Sequence, residues 1–307
     1  MSISEWLEIT IFTQDCVKIV RYFMKENALR GANPRPVSKP IPATAGALAV
    51  EITPQSAGWR YLTFRVHRAS PGEPFKARTA DQEAVLVVLG GSGRLEVGDQ
   101  SRAFQGRRDV FDGLPHFAYV PRNTSCCFTP EGPAEVAWGS APAENDHPPR
   151  ILGPGDCAVE MRGARNVSRQ ITHLIDPGFG SQRLLCVEVY TPSGNWSSYP
   201  PHKHDVHDPP HEVALEEIYH YRLPPDGFAL QRLYDETSDE VVMVRDGETV
   251  LVKRGYHPVV AGPGFDIYYL NVLAGDHPSW AASDDPGLAW VRKTWNSREP
   301  ITLPMVP

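Results

Sequence analysis

A chain of 307 residues with an apolar fraction of 41% can bury a substantial core, and its length is that of about two ordinary domains. The net charge of −7 argues against a general nucleic-acid surface, which needs a basic stripe, and no apolar run reaches the roughly 20 residues of a membrane helix. Thirty prolines and 25 glycines favour many short strands joined by turns.

The start, MSISEWLEIT, carries Glu5 and Glu8 and no basic residue, so it does not read as a secretory signal. Residues 14–30 read as one helix: Thr13 can cap it, Gly31 can end it, and Cys16, Val20, Phe23 and Asn27 lie along one side. A proline-rich connector follows, from Asn33-Pro34-Arg35-Pro36 to Pro42. Beyond it the pattern is strand and turn, as in residues 59–66, 84–89, 240–245, 249–252 and 265–271. Gly90-Gly91-Ser92-Gly93, Val97-Gly98-Asp99 and Asp246-Gly247 punctuate these runs, the spacing of a sandwich or barrel.

Two echoes suggest a repeat. Residues 119–125 resemble 251–257, and 83–88 resemble 217–222. In this alignment Ser125 takes the place of His257, and nothing near Lys76 replaces the pair His202/His204. The expectation is two similar barrels with a metal site only in the second. The five cysteines, Cys16, Cys126, Cys127, Cys157 and Cys186, include no metal-type pair and read as reduced thiols of a cytoplasmic protein.

His202-Lys203-His204 carries the chemistry. Histidines at i and i+2 on a strand point the same way, so both imidazoles can reach one ion. Glu217 from the next strand and His257 from a later one complete three nitrogens and one anionic oxygen. That set suits a single divalent ion, zinc, manganese, iron or nickel, with positions left for substrate. The choice between Glu216 and Glu217 depends on strand parity. With Glu217 inward, Tyr219 and Tyr221 share its face and His220 points away; with Glu216 inward, His220 faces the cavity. His207 and His211 fall in a loop and read as solvated.

His-x-His, then Glu, then a distant His is the metal signature of the cupin barrel. The segment Gly194-Asn195-Trp196-Ser197-Ser198-Tyr199-Pro200-Pro201-His202-Lys203-His204-Asp205 resembles the 5-deoxy-glucuronate isomerases of inositol catabolism. So do Leu215-Glu216-Glu217-Ile218-Tyr219, Val244-Arg245-Asp246-Gly247, Gly255-Tyr256-His257-Pro258-Val259 and Tyr268-Tyr269-Leu270-Asn271-Val272. The resemblance implies an all-β bicupin of two jelly-roll-like barrels: a helical extension over 1–44, a barrel without ligands over 45–148, and a metal-bearing barrel over 149–307. It also implies an aldose–ketose isomerisation of 5-deoxy-glucuronate to 5-dehydro-2-deoxy-gluconate. Other readings of the same ligand set are a 4-deoxy-5-hexosulose-uronate isomerase of pectin breakdown, an iron cupin dioxygenase and a non-enzymatic sugar-binding cupin. Lys253 departs from the pattern, standing where the second cupin motif usually has proline.

Isomerisation needs a group that moves a proton, and the candidates are Glu188, Tyr219, Tyr269 and His220. Glu188 lies in an apolar strand, where burial raises a carboxylate pKa; a structural ion pair is the alternative. A uronate-like substrate also needs a cation. Arg162, Arg165 and Arg169 cluster before the second barrel, and Arg232 and Arg245 lie within it. Gln231 and Tyr234 can hydrogen-bond sugar hydroxyls. The expected partner is a small sugar acid, without nucleic acid or membrane, and a homo-oligomer is compatible with the sequence.

Overall fold

The computed structural model describes residues 7–13, 16–22, 40–43 and 47–296, and the chain divides into two units, Met1–Val37 and Ser38–Pro307. In the first unit β1 (Leu7–Thr13) and β2 (Cys16–Tyr22) pair antiparallel, from Leu7↔Tyr22 to Thr13↔Cys16. The helix expected over 14–30 is thus replaced by a strand across Cys16–Tyr22, and its remaining residues lie outside the described ones. Val17, Ile19 and Val20 are β-branched and Tyr22 is aromatic, which favours extended backbone over the helical spacing read from the same segment.

The second unit is built from antiparallel strands. Its first half holds β3 (Leu48–Ile52), β4 (Thr63–Ala69), β5 (Phe75–Arg78), β6 (Gln82–Val97), β7 (Gln100–Arg107), β8 (Phe117–Val120), β9 (Ser125–Pro130), β10 (Ala134–Pro142) and β11 (Arg150–Leu152). The strand order is β11-β8-β6-β10-β4-β3, and β5, β7 and β9 join through the far end of β6. The first part of β6 pairs with β8 and β10, the last part with β7 and β9. Gly91 makes that bend possible: its φ is +110°, and a Cβ there would strike Ala134.

The second half repeats the plan with the long strand broken in two. β12 (Ala158–Arg162), β13 (Arg169–Ile175), β14 (Leu184–Thr191), β17 (Glu216–Arg222), β20 (Thr249–Val252) and β22 (Ile267–Ala274) form a six-stranded sheet in the order β12-β13-β14-β22-β17-β20. β15 (Trp196–Ser197), β18 (Ala229–Tyr234), β19 (Asp239–Val244) and β21 (Val259–Ala261) form a second sheet, and β16 (His202–Lys203) pairs with β23 (Ser283–Asp284). Among the described residues no helix is long and apolar enough to cross a membrane.

Strand alternation sorts side chains between a core shared by the large sheets and the interiors of the two halves. Val85, Val87 and Leu89 of β6 meet Cys186, Ile218, Leu270 and Val272 in a core shared by the two large sheets. Ala84, Leu86 and Val88 turn the other way, into an interior that Phe104, Phe128 and Trp138 fill. In the second half Tyr219, Tyr221 and Tyr269 turn inward with Val187 and Val189.

Two carboxylates tie the halves together reciprocally. Buried Glu83 on β6 accepts backbone N–H groups of Gln182 (2.8 Å), Arg183 (2.6 Å) and Leu184 (3.1 Å), where the chain enters β14. Glu216 on β17 accepts those of Arg60 (2.5 Å), Tyr61 (3.0 Å) and Leu62 (2.8 Å), where it enters β4. Glu83 therefore corresponds to Glu216, and the sequence echo that set 83–88 against 217–222 is out by one residue. Since side-chain direction has a period of 2, that one residue decides which chains face inward.

Candidate metal centre

The four expected ligands come from three places: three of them meet in one cluster and His202 stands beside it. β16 and the residue after it carry His202 and His204, β17 carries Glu217, and the turn between β20 and β21 carries His257. Gly255 shapes that turn: its φ is +77°, and a Cβ there would meet the carbonyl of Tyr234. Glu217 faces inward with Tyr219 and Tyr221, whereas His220 faces away, against Phe64 and hydrogen-bonded to Thr249 (2.9 Å). Glu216 is occupied by the three backbone donors of residues 60–62.

His204, Glu217 and His257 are all buried, and each offers a ligand atom within 4.8 Å of the others. His204 Nε2 lies 2.9 Å from Glu217 Oε2, and His257 Nε2 lies 3.4 Å from the same oxygen. His202 stands beside this triad, its ring 4.8 Å from that of His257 and 6.3 Å from that of His204.

The histidines are oriented alike. Nδ1 of His202, His204 and His257 donates to the carbonyls of Pro200 (3.4 Å), Leu215 (3.1 Å) and Gly255 (3.0 Å). A carbonyl only accepts, so each Nδ1 carries a proton; Nε2 of His202 and of His257 then keeps a lone pair, while Nε2 of His204 shares a proton with Glu217. Burial pulls His202 and His257 down to about 3, which leaves them neutral. Burial also opposes charge on His204, but the hydrogen bond and charge of Glu217 outweigh it and raise its pKa. His257 Nε2 is fully buried and has no hydrogen-bond partner. An orphaned buried lone pair beside a carboxylate and a second imidazole fits a cation, and borderline nitrogen and oxygen donors suit a divalent ion.

An acidic layer behind the ligands fixes their place. Lys203 points away from the cavity and pairs with Asp205 (2.8 Å) and Glu212 (2.9 Å). Glu212 also accepts the N–H groups of Asp205 and Val206, and Asp205 accepts that of Gly255 (2.7 Å). The loop after His204 is thus bonded directly to the turn that presents His257.

A pocket of about 150 Å³ opens beside the triad. Tyr219 lies in its wall, its hydroxyl 2.9 Å from Ser198 Oγ, and burial holds its pKa well above the ordinary phenol value. Tyr269 stands 3.5 Å from the same oxygen. Of the residues expected to bind substrate, Arg162 lines the pocket. Arg165 is exposed on a 3₁₀ turn, and Arg245 is exposed after β19. Arg232 pairs with Asp239 through two 2.7 Å bonds. None of these three lies in the pocket wall. Gln231 sits behind His257, accepting from the Tyr221 hydroxyl (2.9 Å) and donating to the His257 carbonyl (3.4 Å), so it supports the ligand instead of touching the pocket.

Glu188 is removed from the site. It lies on the face of β14 opposite Val187 and Val189, which line the pocket. Its carboxylate grips Arg107 of the first half at 2.5 and 3.2 Å and accepts the hydroxyls of Tyr190 (3.2 Å) and Tyr268 (2.8 Å). It is a structural ion pair, the alternative weighed above.

Arg169, which the sequence offers among the cations for a uronate, lines the pocket with Arg162, whereas His173 and Arg292 of the same wall carry no role in the sequence reading. His173 was readable, because the period of β13 puts it on one face with Arg169 and Ile171. Arg292 was not, since it arrives on a 3₁₀ segment, Ala289–Asn296, whose sequence carries no cavity signal.

Residues 37–291 match the KduI/IolB family. The chain is 43% identical over 250 residues to the 5-deoxy-glucuronate isomerase of Geobacillus thermodenitrificans, covering 80% of this chain and 91% of that protein. It is 35% identical over 254 residues to that of Bacillus subtilis strain 168. Its fold matches the crystal structure of an IolB-like protein from Salmonella typhimurium LT2 with a TM-score of 0.80 and 34% identity, covering 83% of this chain and 99% of that one. The oxalate decarboxylase of Lactobacillus farciminis aligns with a TM-score of 0.59 at 8% identity, a likeness of fold alone. With its inward Glu217, its three uniformly oriented histidines and this match over most of its length, the chain belongs to the KduI/IolB family.

Proposed function

We propose that this chain is a 5-deoxy-glucuronate isomerase, converting that aldose to 5-dehydro-2-deoxy-gluconate in the cytoplasm during myo-inositol catabolism. The observation that carries the reading is the buried His204–Glu217–His257 triad beside a small pocket, in a chain 43% identical to a protein of that name. We read the two strand sets as two cupin-type barrels, about 45–148 and 149–307, with 1–44 as an extension.

His202, His204, Glu217 and His257 are the residues we assign to one divalent ion. Such an ion supplies Lewis-acid polarisation of a carbonyl and its neighbouring hydroxyl. The protein's share is orientation and proton control. The Nδ1–carbonyl bonds hold the imidazoles, and the Lys203–Glu212–Asp205 layer holds the loops that carry them. The Tyr219 hydroxyl, kept protonated by burial and steadied by Ser198, donates to a substrate oxygen as charge gathers there. The apolar walls, Val187, Val189 and Leu273 among them, limit water.

The test is an NMR time course with 5-deoxy-glucuronate in D₂O, before and after chelation. Chelator-sensitive loss of the aldehyde signal, with growth of a 2-deoxy-5-keto acid, supports the assignment. No conversion by protein shown to hold metal would sink it.

A further inference from the structure

Three guanidinium groups line the pocket, and two are already neutralised. Arg162 donates from Nε and Nη2 to Glu160 at 2.9 and 2.6 Å. Arg292 grips Asp284 with the same two nitrogens. Arg169 differs. It is 4% exposed, and among the described residues no carboxylate comes within ion-pair distance of it. Its hydrogen bonds run from Nη1 to the carbonyls of Val167 (3.0 Å) and Tyr199 (3.1 Å), both neutral acceptors. The ring of Trp295 covers it from 5.4 Å.

A buried charge without a counter-charge is disfavoured, and proteins keep one where a ligand supplies the opposite sign. Burial pulls the Arg169 guanidinium down to about 10, so it remains charged at neutral pH. Nη1 is committed to the two carbonyls, which leaves Nε and Nη2, the pair that binds a carboxylate as a fork. Arg169 opens β13, whose Ile171 and His173 line the same pocket, so the fork belongs to the cavity.

We propose that Arg169 anchors the carboxylate of the sugar acid and selects it against a neutral sugar. The nature of that acid rests on the isomerase reading, but the anion site does not. The competing role is purely architectural, a prop for Tyr199 ahead of His202.

The two roles separate by charge. Metal-free wild type, Arg169→Lys and Arg169→Met would be titrated calorimetrically with D-gluconate and with neutral D-glucitol. The metal-loaded proteins would be assayed on 5-deoxy-glucuronate and on the neutral 5-deoxy-glucose. An anchor predicts that gluconate binding is lost in Arg169→Met, that KM for the acid rises by about 100-fold or more, and that the neutral sugar loses far less. Arg169→Lys, which keeps the charge and loses the fork, should fall between, and it serves if the Met variant does not fold. Equal losses for both sugars, or gluconate binding that ignores the substitution, would overturn the anchor. If the wild type turns over neither sugar but binds gluconate through Arg169, the isomerase reading fails and the anion site stands.

Discussion

On β6 the inward residues are Ala84, Leu86 and Val88; at the matching places on β17 they are Glu217, Tyr219 and Tyr221. On the outer faces of the same strands Glu83 and Glu216 perform the same task for opposite halves, and Val85 matches Ile218. One scaffold thus holds a dry interior on one side and a polar cavity on the other. On the polar side Nδ1 of each of the three clustered histidines has a carbonyl, and the Tyr219 hydroxyl has Ser198. His257 Nε2 is left over, and it lies where the chemistry needs a free lone pair.

The comparison breaks most sharply at matched positions. Replacing His204 by Ala should lower metal affinity, and with it turnover, by more than about 100-fold, since disturbing even a supporting partner of a ligand costs about 10–100-fold. Unfolding should stay cooperative. In the other half, Leu86→Ala opens a cavity and should cost about 2–5 kcal/mol of stability while metal content per folded molecule is unchanged. Metal analysis and urea titration of both variants decide it; metal loss in Leu86→Ala would mean that the halves are not separable in this way.

The seam between the halves gives the next effect. Arg107→Met strands Glu188 without its counter-ion and should cost about 3–5 kcal/mol, read as a lower urea midpoint. Glu188→Gln should also destabilise, yet its turnover per folded molecule should match the wild type, because the carboxylate faces away from the pocket. Lost turnover with unchanged stability would return Glu188 to the catalytic group.

Much of the site was legible. The parity of Glu217 follows from a period of 2, and it holds in the structure, where Glu217 turns inward to His204 and His257 while His202 stands beside them. What escaped depended on long-range partners. Nothing local to Glu188 announces Arg107, which lies 81 residues away. Arg232 sits on the strand expected of it and Arg245 just past the end of one, but neither lies in the pocket wall. The N-terminal helix failed where propensity and periodicity disagreed, and β-branched residues decided for a strand. The repeat was found one residue out of register, because the sequence echo followed the apolar run, whereas the Glu83/Glu216 hydrogen bonds fix the true correspondence.

The smallest effect sharpens the contrast through two histidines, one in each half. His116 stacks on Phe104 at 4.2 Å, and burial, aided by Arg102 and Arg107, pushes it down to about 4. Folding therefore excludes a proton from it, and its contribution falls as pH drops below the ordinary 6.5. His173, in the pocket wall, is raised, chiefly by its 2.8 Å hydrogen bond to Asp176. Folding recruits a proton there, so its contribution is complete below 6.5 and fades as pH climbs through the raised value. Both rings are partly solvated, which holds each effect to about 1 kcal/mol. His116→Gln should consequently gain stability relative to wild type on going from pH 8 to pH 5, and His173→Gln should lose it. Thermal unfolding at the two pH values reads the sign directly. Shifts in the same direction would mean that the dry and polar interiors do not set the charge of their histidines.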